Sequence, residues 1–156
     1  VLEAEASNPG AVLDSAGERE AIARFDAFFA DVTEQSIRSR IDGFYAPDVF
    51  FNDTLKSLRG REAVKDYFLR MPQHTDFVRG KTLDHARSGT NYYVRWILDV
   101  RYKGAKETVS TMGVTLLRFD ESGRVVLHQD FWDSSAGFYE HLPVLGGVMR
   151  WIKSKI

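Results

Sequence analysis

Between residues 81 and 133 the apolar spacing of the chain changes from three-and-four to strict alternation. Four segments, 81–88, 91–103, 106–120 and 124–133, alternate in this way, and short glycine turns separate them: Ser88-Gly89, Lys103-Gly104 and Glu121-Ser122-Gly123. Alternation places successive side chains on opposite faces, and Gly-containing breaks between such runs are hairpin signals. An antiparallel meander is the expected result.

Upstream the period is helical. Ala21, Ile22, Phe25, Phe28, Phe29 and Val32 recur at spacings that stack on one helix face, beginning near Gly17. Thr33 has the chemistry of an N-cap for a second helix carrying Ile37, Ile41 and Phe44, closed by Gly43 and Pro47. Residues 49–53, Val-Phe-Phe-Asn-Asp, read as a short strand ending in turn-formers. Gly60 precedes a third helix over 61–71 with Val64, Phe68 and Met71 on one face, ended by Pro72. Helices followed by a meander give α+β, with the helices gathered on one face of a curved antiparallel sheet.

At 156 residues the chain is the length of one domain, which we expect to occupy 18–156. Residues 1–17, with Asn8-Pro9-Gly10, are expected to be a poorly ordered or peripheral leader. The tail beyond Ser134, with Phe138, Leu142, Leu145, Val148, Trp151 and Ile152, is expected to be helical in part, broken at Gly146-Gly147. A net charge of −1 gives no footprint for nucleic acid or an anionic membrane, and no apolar run reaches membrane-spanning length. The absence of cysteine excludes disulfides and thiolate chemistry. The cytoplasm is the favoured compartment.

One count departs from the ordinary: aromatic residues are 13% of the chain. So many rings in one small domain must pack tightly or wall a cavity. In segment 91–103 one parity is Tyr92, Val94, Trp96, Leu98, Val100 and Tyr102; the other is Tyr93, Arg95, Ile97, Asp99 and Arg101. Neither is a simple solvated face, so a second copy packed sheet to sheet is the expected cover. Phe25, Phe28, Phe29, Phe50, Phe51 and Trp132 are expected to point into the interior, with Trp96 and Tyr102 on the outer stripe.

The standard nucleophile, phosphate-loop and metal motifs are absent, and the four histidines have no metal-ligand spacing, so no metal is expected. What carries chemistry is polar residues inside apolar strands. Asp53 ends the aromatic strand, where desolvation would raise its pKa and suit it to acid–base work, or where it simply caps a turn. Arg95, in the most apolar strand, needs a carboxylate partner. His128, Asp130 and Trp132 share a strand face, which could unite a base, a carboxylate and an aromatic wall. Thr111 and Thr115 could offer hydroxyls from the neighbouring strand, or simply reflect the β propensity of threonine.

Tyr45-Ala46-Pro47-Asp48-Val49-Phe50-Phe51-Asn52-Asp53, Gly60-Arg61-Glu62-Ala63-Val64, Val114-Thr115-Leu116-Leu117-Arg118-Phe119-Asp120 and His128-Gln129-Asp130-Phe131-Trp132-Asp133 together resemble the nuclear transport factor 2-like superfamily. That superfamily includes ketosteroid isomerase, SnoaL-like polyketide cyclases and limonene epoxide hydrolase. The resemblance implies a cone-shaped α+β barrel, its curved sheet wrapped around the N-terminal helices, open at one end to a ligand and paired into a homodimer through the sheet. Asp53 falls at the isomerase's proton-transferring Asp, and Arg95 and Asp130 match an Arg and an Asp of the hydrolase. Phe51 replaces the hydrolase's water-positioning Tyr, Ile97 its second Asp, and Thr115 the isomerase's oxyanion Asp. An aromatic near Phe25 or Phe29 replaces the isomerase's Tyr.

The expected catalytic set is therefore Asp53, Arg95, His128 and Asp130, in a pocket lined by Phe25, Phe29, Phe51, Tyr93, Ile97, Thr115 and Trp132. The expected ligand is a small hydrophobic molecule, with no cofactor. The expected activity is acid–base chemistry of isomerase, cyclase or hydrolase type; the alternative is a non-catalytic binding or dimeric interaction domain.

Overall fold

A computed structural model of the chain describes residues 2–133; the tail expected to be partly helical lies outside them. Helices α1 (Leu2–Ser7), α2 (Ser15–Phe29) and α3 (Glu34–Phe44) come first. Strands β1 (Tyr45–Asn52) and β2 (Ser57–Arg59) follow, then α4 (Arg61–Phe68) and α5 (Met71–His74). The meander is β3 (Thr75–Ser88), β4 (Asn91–Tyr102), β5 (Val109–Phe119) and β6 (Val125–Trp132).

Local chemistry sets the helix boundaries. Asp14 caps α2 by accepting from the Gly17 amide, and Thr33 and Ser36 form a reciprocal capping box at α3. The single helix expected over 61–71 is two. It stops at Phe68, and Pro72 sits in the first turn of α5. Proline lacks only an amide that a first turn leaves unpaired anyway, so it starts a helix as readily as it ends one.

All six strands join one sheet in the order β2-β1-β6-β5-β4-β3. The hairpins are antiparallel as expected, but β1 runs parallel to β6. The sheet curves around α2, α3 and α4 without closing on itself. Ile22, Phe25 and Phe28 of α2, Ile37, Ile41 and Phe44 of α3, and Val64 and Phe68 of α4 are buried with Val78, Tyr92, Val94 and Trp96 of the sheet.

Face assignments differ from expectation in two places. Phe50 and Phe51 are neighbours in a strand and cannot share a face. Phe51 points inward, whereas Phe50 lies on the outer face in a separate cluster with Ala4, Leu116 and Leu127. In β4 the inner parity is that of Trp96, so Trp96 and Tyr102 belong to the interior wall. The segment before α2 is held against the sheet, and Leu13 joins the main core. Ala4 is buried over the outer cluster, the Arg118 guanidinium donates to the carbonyls of Glu5 and Asn8, and the Ala11 amide bonds Phe119.

Candidate functional site

The space between the helices and the inner sheet face is a cavity of about 440 Å³. Aromatic rings line it, Phe25 and Phe29 from α2, Phe51 from β1, Tyr67 and Phe68 from α4, and Trp96 and Trp132 from the sheet, together with aliphatic residues and with Lys56, Arg70 and Lys81. Volumes of this order suit a small ligand. Into this apolar space project the side chains of Asp53, Thr115, His128 and Asp130.

The register that brings three of these together is plain. Thr115 is paired with Asp130 across β5 and β6, and His128 precedes Asp130 by two residues on the same face. His128 Nε2 lies 3.0 Å from Oδ1 of Asp130, and the Thr115 hydroxyl donates to the same oxygen at 2.5 Å. Trp96 Nε1 donates to the Thr115 hydroxyl at 2.7 Å, which obliges that hydroxyl to pass its own proton to Asp130. On the far side of the imidazole, Nδ1 lies 3.0 Å from the Tyr45 hydroxyl.

These partners assign the tautomer. Tyr45 is fully buried, its hydroxyl has no other partner among the described residues, and burial pushes its pKa well up, so the phenol donates to Nδ1. Nδ1 accepts, the imidazole is neutral, and Nε2–H donates to Asp130. Phe25 and Phe51 pack against the ring and fix its plane. Oδ1 of Asp130 therefore receives two hydrogen bonds, while Oδ2 accepts none among the described residues. Any proton that reaches this carboxylate lands on Oδ2.

Asp53 is held differently. Its Oδ1 accepts from the amides of Leu55 and Lys56 at 3.0 and 2.8 Å, and its Oδ2 from the Tyr67 hydroxyl at 2.5 Å. Trp132 Nε1 donates to the Asp53 carbonyl, tying this turn to the end of β6. Thr54, next in the chain, adopts φ 73°, a left-handed conformation costly for a β-branched residue and fixed here by the turn's hydrogen bonds. Burial raises the Asp53 pKa, the Tyr67 bond and the turn amides oppose the rise, and the Asp130 charge adds to it. The Tyr67 phenol is pushed far up, first by burial and then by Asp53, so it acts only as a neutral donor.

Of the expected catalytic set, Asp53, His128 and Asp130 line one cavity; Arg95 does not. Its parity is that of the outer face, where its half-exposed guanidinium grips Asp84 of the neighbouring strand. Water and an adjacent carboxylate stabilise that charge far more cheaply than an apolar interior would. Tyr93, on the same parity, is 38% exposed and lies outside the cavity. Phe25, Phe29, Phe51, Ile97, Thr115 and Trp132 line it.

Sequence reading missed Tyr45, Tyr67 and Trp96 as members of the polar network. For Tyr67 a signal existed: it stands three residues after Val64, at the flank of the buried α4 face. Among the described residues no three His, Asp or Glu are placed to hold a metal ion, and no helix is long and apolar enough to cross a membrane.

Comparison with known proteins agrees with this architecture. Similar solved structures include an LEH-like epoxide hydrolase from M. tuberculosis, with 17% identity, a TM-score of 0.64, and coverage of 87% of this chain and 97% of that one. A nuclear transport factor 2-like protein of unknown function from Exiguobacterium is 14% identical, with a TM-score of 0.63 over 72% of this chain and 98% of its own. At such identities the likeness establishes the fold, the nuclear transport factor 2-like cone. No curated protein matches the sequence. The sequence profile of the SnoaL-like domain matches residues 25–128, two-thirds of the chain, from the second half of α2 to His128 in β6, and stops short of Asp130 and Trp132. The chain belongs to the SnoaL-like domain family.

Proposed function

We propose that the protein is a cofactor-independent acid–base enzyme for a small, largely apolar molecule, with Oδ2 of Asp130 as the atom that takes and returns the proton. The carrying observation is the one-sided bonding of Asp130. Two neutral donors fix Oδ1, which holds the carboxylate's orientation, and Oδ2 is left for the cavity. A positioned carboxylate in an apolar site is a competent general base, because water no longer competes for its lone pairs. His128 and Thr115 act through Asp130 by holding it. Asp53 shapes the wall through its turn and through Tyr67, and its charge opposes any additional negative charge near Asp130.

We also propose that a second copy covers the outer face of the sheet. Tyr93, Met112 and Phe131 stand exposed there in adjacent strands, beyond the area closed by α1.

The enzymatic reading is tested by solvent exchange. A panel of small cyclic and aryl carbonyl compounds and epoxides is first screened for occupancy by tryptophan fluorescence, since Trp96 and Trp132 line the cavity. Bound compounds are then incubated in D2O and followed by proton NMR. Wild type is expected to exchange or convert at least one of them, with the rate falling about 10²–10⁴-fold in Asp130→Asn. Occupancy without exchange or conversion by any compound would leave a binding module and sink the catalytic reading.

A further inference from the structure

The charge and donor inventory of the cavity narrows the chemistry of its ligand. Asp31, Asp42, Asp76, Asp84 and Asp120 each pair with an arginine, as do Glu5, Glu18, Glu20 and Glu34. Asp53 and Asp130 do not: among the described residues no Lys or Arg bonds to either. Every group that contacts their carboxylates is a neutral donor: two backbone amides, the Tyr67 and Thr115 hydroxyls, and the neutral His128 ring. These two largely buried carboxylates thus have no Lys or Arg partner among the described residues.

The donors that reach the two carboxylates or their immediate partners are already committed. Trp96 Nε1 is spent on Thr115, Thr115 on Asp130, Tyr67 on Asp53, Trp132 Nε1 on the Asp53 carbonyl, and Tyr45 on His128. What remains bonded to no donor among the described residues is Oδ2 of Asp130; Lys56, Arg70 and Lys81 also line the cavity, but none of their side chains bonds to either carboxylate. Aromatic rings line the cavity beside it, and ring faces attract cations most strongly where water is excluded. A bare carboxylate in such a place is costly, and a ligand that brings both a hydrogen-bond donor and a positive charge removes that cost.

We propose that the cavity takes a hydrophobic primary or secondary amine, bound as its ammonium, with an N–H donated to Oδ2 of Asp130 and the apolar body against the rings. The inference rests on the reading of this cavity as the ligand site.

Three probes of one shape decide the matter: benzylamine, benzyl alcohol and benzoate, titrated into the full chain at pH 7 by calorimetry. Benzylamine is expected to bind at least about tenfold more tightly than the alcohol, in line with a charge-assisted bond against a neutral one. Benzoate is expected not to bind. In Asp130→Asn the amine preference should vanish while affinity for the alcohol persists. Equal binding of amine and alcohol, preference for benzoate, or an amine preference that survives Asp130→Asn would each overturn the proposal. Equal binding would do so while leaving the cavity reading intact, whereas failure of all three to bind would overturn both. The wild-type ratio of amine to alcohol stands as a test by itself should the variant not fold.

Discussion

Asp53 and Asp130 show how one residue type takes two roles from its surroundings. Asp53 has both oxygens occupied, by two turn amides and by Tyr67, and its buried charge nevertheless costs enough to raise its pKa above the ordinary 3.8. A carboxyl whose pKa is raised on folding holds more protons folded than unfolded. Its contribution to stability is therefore fully present below the unfolded pKa and is lost as pH rises through the folded one. Asp53→Asn removes that titration and keeps an oxygen for the Leu55 and Lys56 amides. The stability of the variant relative to wild type should accordingly grow as pH rises from about 3.8 and level off above the folded pKa of Asp53. Urea denaturation at intervals from pH 3.5 to 7 measures the difference; a variant-minus-wild-type stability that is flat, or that falls with rising pH, would contradict the assigned direction. The variant also removes a charge that raises the pKa of Tyr67, so its own phenol should titrate lower than in wild type.

Among the elements, β5 decides whether the cavity exists. Gly113 is flanked by Trp96 on β4 and Trp132 on β6, and a methyl group at that position would come 2.4 Å from Cζ2 of Trp96 and 2.9 Å from Cβ of Trp132. The indole of Trp96 lies against β5 because Gly113 has no side chain, and only there can its Nε1 reach Thr115. Gly113→Ala should evict the ring and break the Trp96–Thr115–Asp130 relay, at a cost of about 1–3 kcal/mol typical of overpacking. Chemical unfolding gives the energy, and a red shift in tryptophan emission gives the eviction; an unchanged midpoint with unchanged emission would refute the account. The sequence made some of this legible and some not. Periodicity and turn glycines locate α2, α3 and the hairpins, and alternation puts His128 with Asp130. Alternation says which residues share a face, however, not which face is inside. Both parities of β4 carry large apolar groups, so the sequence expectation places Arg95 and Tyr93 inward and Trp96 and Tyr102 outward, the reverse of what packing selects. The parallel pairing of β1 with β6 has no local signal for another reason: it joins residues 77 to 80 apart in sequence, from Asn52 with Gln129 to Tyr45 with Val125.

At the level of the whole molecule, the sheet has one face committed to the cavity and core and an outer face that is only half dressed. Helix α1 closes the part over Phe50, Leu116 and Leu127. Beyond it Met112 and Phe131 are each 53% exposed, with Val114 of β5 paired to Phe131, and Tyr93 and Leu83 are exposed further along. Full burial of a Met or Phe side chain contributes about 1.5–3 kcal/mol. Two copies would contribute four such side chains, partly buried already, against an association cost of about 4–15 kcal/mol. These anchors alone barely offset that cost, so the proposed second copy must use the wider face, including Tyr93 and the aliphatic parts of the Arg95–Asp84 pairs. The dimer should therefore be sensitive to one central charge. Light scattering at micromolar concentration is expected to return twice the chain mass of 17.8 kDa, and Phe131→Asp is expected to return 17.8 kDa with the helical circular dichroism intact. Since Phe131 points away from the cavity, the same variant should bind benzylamine as wild type does, which separates the outer face from the inner one. A wild-type chain that scatters as a monomer would remove the second copy from the account, and the exposed row would then need a partner of another kind.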